Sequence, residues 1–173
     1  MAAKLVPENV VISDATVLIN FLNTGTFQLL LQIFEGRLHV TDLVRGEIKV
    51  NRKELDDAIA NRQVLVHKVP IEQIEHLIRS YSEFHPGEAS CFVLAKEQSW
   101  KVATDDTAAK QLLKRELGPS YVVTTFDILL QLVHFGRLGK VEALELLNRM
   151  EENAHFQFVS DEFKRFEKYL RTM

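Results

Sequence analysis

The chain has 173 residues, of which 46% are hydrophobic and 26% are charged, with only 7 glycines and 4 prolines. These values are typical of one soluble globular domain and exclude a chain dominated by disordered linkers. The 21 basic and 24 acidic side chains give a net charge of -3, which excludes a protein that binds nucleic acids through general positive charge.

Cysteine usage and apolar stretches indicate the compartment. The single cysteine, Cys91, cannot form an internal disulfide, which suits a reducing compartment. The first residues, MAAKLVPENVV, lack the apolar core of a signal peptide, and the apolar stretch at residues 27–34 is too short to span a bilayer. We therefore expect a cytoplasmic protein with no membrane segment.

Short apolar runs and helical periodicity alternate along the chain. The apolar runs predict strands at residues 10–13, 37–42, 63–69, 101–106 (with its exit) and 121–124. Helical spacing predicts helices at residues 15–25, 26–36, 43–62, 70–84, 85–100, 107–118, 125–139, 140–153 and 160–173, the last one exposed and preceded by an extended piece at 156–159. This alternation predicts an α/β fold, a three-layer α/β/α sandwich around a mainly parallel sheet.

Acidic side chains follow several of the predicted strands or begin the next helix. The acids are Asp14, Glu47, Glu88, Asp105 and Asp106. Because the carboxyl ends of parallel strands meet at one edge of a sheet, these acids can converge although the sequence separates them. Converging carboxylates raise one another's pKa unless a cation lies between them, and Mg²⁺ or Mn²⁺ suits such oxygen ligands. The pattern therefore favours a divalent metal site that activates water.

Each acid also has a simpler explanation. Asp is a preferred helix N-cap and the helix dipole stabilises Glu in a first turn, so Asp14, Glu88 and Asp106 can be capping residues only. Glu47 lies inside a predicted helix and can belong to a solvated face. The adjacent pair Asp105 and Asp106 exceeds what one cap needs, which favours the metal site over capping alone.

Other catalytic chemistry has little support. The 6 histidines show no paired zinc-ligand spacing, and the sequence contains neither a Walker-type phosphate loop nor GxGxxG. A receiver domain needs its acidic pair just after the first strand, whereas the pair at 105–106 comes late in the chain. Cys91 is interpreted as a small buried helix residue rather than a nucleophile.

At these residues the chain resembles the PIN-domain superfamily, in particular the small prokaryotic PIN proteins similar to toxins of the VapC type. The matching segments run over about residues 10–150 and are VISDATVLINF, VRGEI, GEASCFVLAKE, ATDDTAAKQL and TFDILLQLVHFGRLGKVEALELL. The resemblance implies a Mg²⁺- or Mn²⁺-dependent endoribonuclease that leaves 3′-hydroxyl and 5′-phosphate ends. It makes residues 1–155 the PIN-like catalytic domain and residues 156–173 a C-terminal helical extension of that domain.

The resemblance also implies roles for individual residues. The catalytic acids would be Asp14, Glu47, Glu88 and Asp106, and the metal would be bound by Asp14, Glu88 and Asp106 with Asp105 as an extra carboxylate. Ser13, Thr16 and Thr104 would support the acids through their hydroxyl groups. Phosphate contacts would come from cations near the acidic edge, for which the sequence offers Arg45, Lys49, Arg52 and Lys110, although each can also belong to a solvated helix face.

The partners implied are an RNA substrate and an antitoxin protein, with a homodimer as a further option. The C-terminal extension supplies aromatic residues either for such a contact or for packing onto the domain; these are Phe156, Phe158, Phe163 and Phe166. Two other interpretations stay open at this point. One is a catalytically inactive PIN-like module that binds RNA or protein, and the other is a metal-dependent phosphatase or DNA nuclease with the same acids.

Overall fold

Five short strands form one parallel sheet at the centre of the molecule, in the order β3-β2-β1-β4-β5. The computed structural model describes residues 11–154 and 160–172. The strands are β1 (Val11–Ser13), β2 (Leu38–Thr41), β3 (Val64–His67), β4 (Lys101–Ala103) and β5 (Val122–Val123). Ile12 of β1 lies beside His39 of β2 and Val102 of β4. All side chains of β1 and β2 are buried, as expected for central strands covered on both faces.

Ten α-helices among the described residues surround this sheet. They are α1 (Ala15–Asn23), α2 (Phe27–Phe34), α3 (Asp42–Glu47), α4 (Arg52–Ala60), α5 (Ile71–Ser80), α6 (Pro86–Gln98), α7 (Thr107–Glu116), α8 (Thr125–His134), α9 (Lys140–Ala154) and α10 (Ser160–Thr172). Helix α6 packs directly on the three central strands, and α5 and α3 pack against α6. Helix α1 packs against α2 and α9, and α8 packs against the same two helices. The predicted three-layer α/β/α fold with a parallel sheet is confirmed.

One predicted helix is wrong, because the region 43–62 contains two helices with a break between them. Ile48 is completely buried at the end of α3, and Asn51 takes up a left-handed conformation with φ 53°. The Asn51 amide Nδ2 donates to the Leu22 carbonyl oxygen at 3.0 Å, which ties the break to the end of α1. Asparagine tolerates this conformation better than most residues, which suits it to position 51, where α4 begins.

The C-terminal helix α10 packs on the domain, contrary to the expectation that it is exposed. Phe166 and Leu170 are both only 2% exposed, and the Phe166 ring lies 5.4 Å from the ring of Phe126 in α8. Phe163 is partly buried against the same core. The predicted extended piece at 156–159, with Phe156 and Phe158, and the predicted boundary after residue 155 lie outside the described residues.

Within the two described stretches of the chain, no helix combines the length and the apolar character needed to span a lipid bilayer.

Candidate active site

The ends of β1, β4 and β5 bring several polar residues to one edge of the sheet. The Asp14 N–H donates to the Ala103 carbonyl at 2.9 Å, and the Thr104 N–H donates to the Val123 carbonyl at 2.9 Å. The backbone ladder thus continues one residue beyond each strand before the helices begin. Asp14 and Thr104 therefore lie side by side at the carboxyl edge, as the order of strands and helices predicts.

Asp14 is the most enclosed of the four predicted catalytic acids. It is 3% exposed and forms the N-cap of α1, accepting from Ala15 N at 2.6 Å. Its Oδ2 also accepts from the hydroxyls of Thr16 and Thr104, both at 3.0 Å. Burial raises the pKa of Asp14 in spite of these three hydrogen bonds, and the charge of Asp106 acts in the same direction. Asp14 is thus both a helix cap and a member of the acidic cluster.

Two of the three predicted supporting hydroxyls hold the acidic loop together. Thr16 Oγ1 accepts from Asp105 N at 3.2 Å, and Thr104 Oγ1 accepts from Asp106 N at 3.2 Å. Each threonine therefore links the Asp14 carboxylate to the backbone that carries the later acids. Ser13 does not share this role, because its Oγ donates to the Asp14 carbonyl at 3.0 Å rather than to a carboxylate.

Asp105 and Asp106 have different surroundings although they are neighbours. Asp105 is buried, and its two carboxylate oxygens accept from Thr125 N at 2.8 Å, Thr125 Oγ1 at 2.5 Å and Asn20 Nδ2 at 2.9 Å. Burial raises the pKa of Asp105 to about 6. Asp106 is half-buried and caps α7 through Oδ1, which accepts from Ala109 N at 2.7 Å. Asp105 therefore links α1 to α8, whereas Asp106 caps α7 and remains partly accessible to solvent.

Glu88 lies in the first turn of α6, where its Oε2 accepts from His85 N at 3.0 Å. The residue is half-buried, and this burial raises its pKa to about 7, with smaller contributions from the charges of Asp14 and Asp106. A carboxyl group with such a pKa changes its protonation state near neutral pH. This perturbation is typical of functional carboxylates but occurs in structural networks as well.

Glu47 ends α3 and places its carboxylate against the first turn of α6. Glu47 is exposed overall, but its carboxylate is partly buried. This burial, and next the charge of Asp14, raise its pKa. The backbone N–H of Gly87 acts in the opposite direction and lowers the pKa of this carboxylate. A Cβ atom placed on Gly87 would lie 2.8 Å from Glu47 Cδ and 2.9 Å from Oε2, so only glycine leaves the carboxylate this space.

The mutual effects on pKa connect the four predicted catalytic acids. Asp14 raises the pKa of Glu47 and of Glu88, and Asp106 raises the pKa of Asp14 and of Glu88. Among residues 11–154 and 160–172, no three His, Cys, Asp or Glu side chains are already grouped closely enough to hold a metal ion. The donor chemistry still fits Mg²⁺ or Mn²⁺, because oxygen ligands whose charges repel one another are what a divalent cation stabilises.

Most of the predicted phosphate-binding cations are engaged in other contacts. The guanidinium of Arg45 forms an ion pair with Asp56 at 2.8 Å, and Arg52 approaches the same carboxylate at 3.4 Å. Lys49 Nζ donates to the Gly46 carbonyl at 2.5 Å and lies on the exposed surface.

Lys110 departs furthest from its predicted role. Its side chain is 7% exposed, and its Nζ contacts the two carboxylate oxygens of Glu162 in α10 at 3.1 and 3.2 Å. A phosphate contact at Lys110 would require this ion pair to break. No sequence pattern indicates this ion pair, because the two residues lie 52 positions apart.

Four further residues shape the site and were not predicted. Asn20 and Thr125 hold Asp105, Gly87 makes room for Glu47, and Glu162 pairs with Lys110. Only Asn20 carried a usable signal, as a polar residue on an otherwise apolar helix. Cys91 is confirmed as a buried helix residue, and burial raises its thiol pKa further above its ordinary value, which excludes a thiolate nucleophile near neutral pH.

Comparison with known proteins gives a match to a family model. Searches of curated proteins and of solved structures find no relative that matches this chain. A family model described as a PIN domain matches residues 10–170, which is most of the sequence and includes every acid described above. The chain therefore belongs to the PIN-domain family.

Proposed function

We propose that this protein is a metal-dependent endoribonuclease that uses Asp14, Glu47, Glu88 and Asp106 as its catalytic acids. PIN domains are generally nucleases, so hydrolysis of a nucleic acid is the family's expectation. The observation that carries the proposal is the gathering of these carboxylates at the carboxyl edge of the sheet. There the charge of Asp14 raises the pKa of Glu47 and Glu88, and the charge of Asp106 raises the pKa of Asp14 and Glu88. Such an arrangement is costly in a protein that does not neutralise it.

Asp14, Glu88 and Asp106 would hold the ion, and Glu47 would hold a second ion or order the attacking water. Bound Mg²⁺ or Mn²⁺ would lower the pKa of a coordinated water and would stabilise negative charge on the phosphodiester. Of the two acids in the pair, Asp106 is the better ligand, since the hydrogen bonds of Asp105 direct its carboxylate toward Asn20 and Thr125. Asp105 remains a predicted ligand with this competing structural role.

The chain's own residues orient the acids before any ion binds. Thr16 and Thr104 fix the Asp14 carboxylate between β1 and β4, and the space left by Gly87 admits the Glu47 carboxylate against α6. Positioning of this kind lowers the cost of assembling the reacting groups. Glu88 and Glu47 extend from helix ends, and binding of a common ion would require their side chains to rotate toward it.

The cellular role proposed is that of a toxin in a toxin-antitoxin pair, acting on RNA in the cytoplasm. The support is the resemblance to small prokaryotic toxins, together with a single buried cysteine, which suits a reducing compartment. An antitoxin protein would be its partner, and a homodimer is included as an assembly to test by sedimentation. A gene for a small DNA-binding protein beside the gene for this chain would support the pairing.

The deciding experiment is cleavage of a mixed pool of labelled RNAs with Mg²⁺, Mn²⁺ or EDTA. We expect cutting with either ion, no cutting in EDTA, and a loss of at least about a hundredfold in Asp14→Asn, since the missing charge removes a principal ligand. Asp57→Asn is the matched control, because Asp57 is exposed and its contact is an ion pair with Lys53. Equal cutting by the parent and by Asp14→Asn would contradict the proposal.

One observation favours a second candidate, a catalytically inactive module that binds RNA or protein. No ready-made metal group exists among the side chains that the structure describes. Calorimetric titration with Mn²⁺ separates the two candidates. Binding that Asp14→Asn weakens supports the nuclease, whereas no measurable binding together with no cutting supports the inactive module.

A further inference from the structure

A cavity of about 310 Å³ lies one strand away from the acidic cluster, between α7, the first turns of α8, and α10. Thr124, at its rim, directly follows β5, and the hydrogen bond from Thr104 N to Val123 O joins β5 to the strand that carries Asp105 and Asp106. Thr124 therefore places one side of the cavity at the same edge of the sheet as the acids. A substrate strand that extends from the acids past β5 would reach it.

The floor of the cavity is apolar and aromatic. Phe126 and Phe166 are 7% and 2% exposed, their rings lie 5.4 Å apart, and Leu130 lies beside them. Tyr169 stands at the rim and is 38% exposed, so one aromatic ring is accessible from solvent. A pocket of this size that combines an apolar, aromatic floor with charged side chains suits a flat aromatic ligand that carries phosphate groups.

Two exposed cations flank this pocket, Lys114 on α7 and Arg165 on α10. Within the described parts of the chain neither forms an ion pair, in contrast to Arg45, Arg52 and Lys110, which are paired with acids. Their charges are therefore available for phosphate groups on either side of a bound base.

The two acids at the rim do not oppose this ligand. Glu162 is already neutralised by Lys110, with its carboxylate oxygens 3.1 and 3.2 Å from the ammonium. Asp127 accepts from the N–H and the hydroxyl of Thr124 through Oδ2, at 2.9 and 2.8 Å. Within the described residues its Oδ1 has no such contact, so it can accept from an exocyclic amino group of a base.

We infer that this pocket is a nucleotide subsite for the RNA substrate, in which a base next to the scissile phosphate stacks on Tyr169 and the adjacent phosphates bind Lys114 and Arg165. Single-stranded RNA is recognised by stacking of splayed bases on aromatic side chains, which is the chemistry that the pocket offers. The inference deepens the proposed function and rests on it for the identity of the polymer.

The test measures binding separately from cutting. Each variant is made in the full chain with Asp14→Asn, and the affinity for a short fluorescein-labelled single-stranded RNA of mixed sequence is measured with Mg²⁺ by fluorescence anisotropy. We expect Tyr169→Ala to weaken binding by about fivefold or more, because one stacking contact is lost, while Tyr169→Phe keeps the parent affinity. Circular dichroism confirms that each variant is folded.

Arg165→Gln adds a readout that a purely structural role would not change. Loss of one phosphate contact lowers the slope of log affinity against log salt by about 0.7 for a single strand. Lys164→Gln is the matched control, since it removes the neighbouring exposed cation of α10, which does not line the pocket. We expect Lys164→Gln to leave both the affinity and the slope within twofold of the parent values.

The outcomes separate the subsite from the nuclease. If Tyr169→Ala and Arg165→Gln bind RNA as tightly as the parent, the subsite is wrong, even if the protein with Asp14 intact cuts RNA. If both weaken binding but the intact protein cuts no RNA with either ion, the nuclease proposal fails and the subsite stands. A pocket that holds a peptide instead would leave RNA affinity unchanged in Tyr169→Ala, which overturns the inference.

Discussion

At the scale of single residues, the space above Gly87 decides where the Glu47 carboxylate lies. A Cβ atom at position 87 would approach Glu47 Cδ to 2.8 Å, and the carboxylate is the mobile end of its side chain, so the carboxylate would move rather than the backbone. Gly87 lies in the first turn of α6 without a positive φ, and alanine is intrinsically a better helix former by about 1 kcal/mol. The substitution therefore acts on the site and not on the fold.

We predict that Gly87→Ala reduces kcat on RNA by about ten- to a hundredfold, because misplacement of a catalytic group by about 1 Å has effects of that size. Its melting temperature should stay at or above that of the parent. Adding Glu47→Gln should cause little further loss, since both changes remove the same carboxylate from its place. Gly46→Ala is the control, because a Cβ there meets no atom within 4 Å, and an equal loss in this variant would contradict the prediction.

At the scale of elements, α10 is fixed to α7 by an ion pair with unequal partners. The Lys110 side chain is 7% exposed, whereas that of Glu162 is 33% exposed. Removing the acid leaves a buried ammonium without its partner, which is the costly way to break such a pair. Removing the base leaves a carboxylate that water can still reach. Removal of Glu162 should therefore lower the stability of the protein more than removal of Lys110.

We predict that Glu162→Gln lowers the free energy of unfolding by about 1–3 kcal/mol and that Lys110→Met lowers it by less. Urea denaturation followed by circular dichroism measures both. Glu167→Gln, which breaks an exposed pair with Arg171 on the same helix, should cost under about 0.5 kcal/mol. The reverse order, with Lys110→Met the more harmful change, would show that burial of the ammonium does not govern this contact.

The adjoining strands β2 and β3 carry a second pair, formed by His39 and His67. His39 Nδ1 lies 2.7 Å from His67 Nε2, and the edge of Trp100 packs against both rings. Burial, and next the charge of His67, lower the pKa of His39 to about 4. Because the folded-state pKa is below the unfolded value of 6.5, the pair stabilises the fold above pH 6.5, and this stabilisation is lost as the pH falls toward 4.

We predict that the free energy of unfolding of the parent falls on acidification and that the His39→Gln variant lacks this fall. The difference in stability between the two should therefore shrink by about 1–3 kcal/mol from pH 7.5 to pH 4.5. Urea denaturation at the two pH values measures the difference. His76→Gln, at an exposed position of α5, should show a constant difference over the same range. A constant difference for His39→Gln as well would refute a role of the histidine pair.

For the whole molecule, the alternation of strands and helices was sufficient to predict the parallel sheet and the edge at which Asp14 and Asp106 meet. The family resemblance, rather than the local patterns, supplied the threonines that hold Asp14. Local patterns failed where a contact joins distant segments: Asn51, at the start of α4, donates to Leu22, Asp105 accepts from Asn20 and Thr125, and Lys110 pairs with Glu162. Sequence periodicity encodes which face of an element is buried, but not which polar partner it meets there.

The charge of the acidic cluster predicts how the stability of the whole protein depends on metal and pH. The folded-state pKa is raised to about 7 for Glu88 and about 6 for Asp105, and it is raised for Asp14 and Glu47 as well. A raised carboxyl pKa means that the stabilisation is complete at low pH and is lost as the pH rises through the folded-state value. This effect is opposite in sign to that of the histidine pair and involves more groups.

We therefore predict that the melting temperature in EDTA falls between pH 5 and pH 8, and that Mn²⁺ reverses much of this fall because an ion that binds only the folded state stabilises it. Glu88→Gln should melt higher than the parent in EDTA at pH 8, match it near pH 4.5, where the parent carboxyl is protonated, and gain less from Mn²⁺. Differential scanning calorimetry measures all three. A melting temperature that rises toward pH 8 in EDTA would contradict the raised pKa values of these carboxyl groups. An equal Mn²⁺ effect in parent and variant would show that Glu88 does not bind the ion.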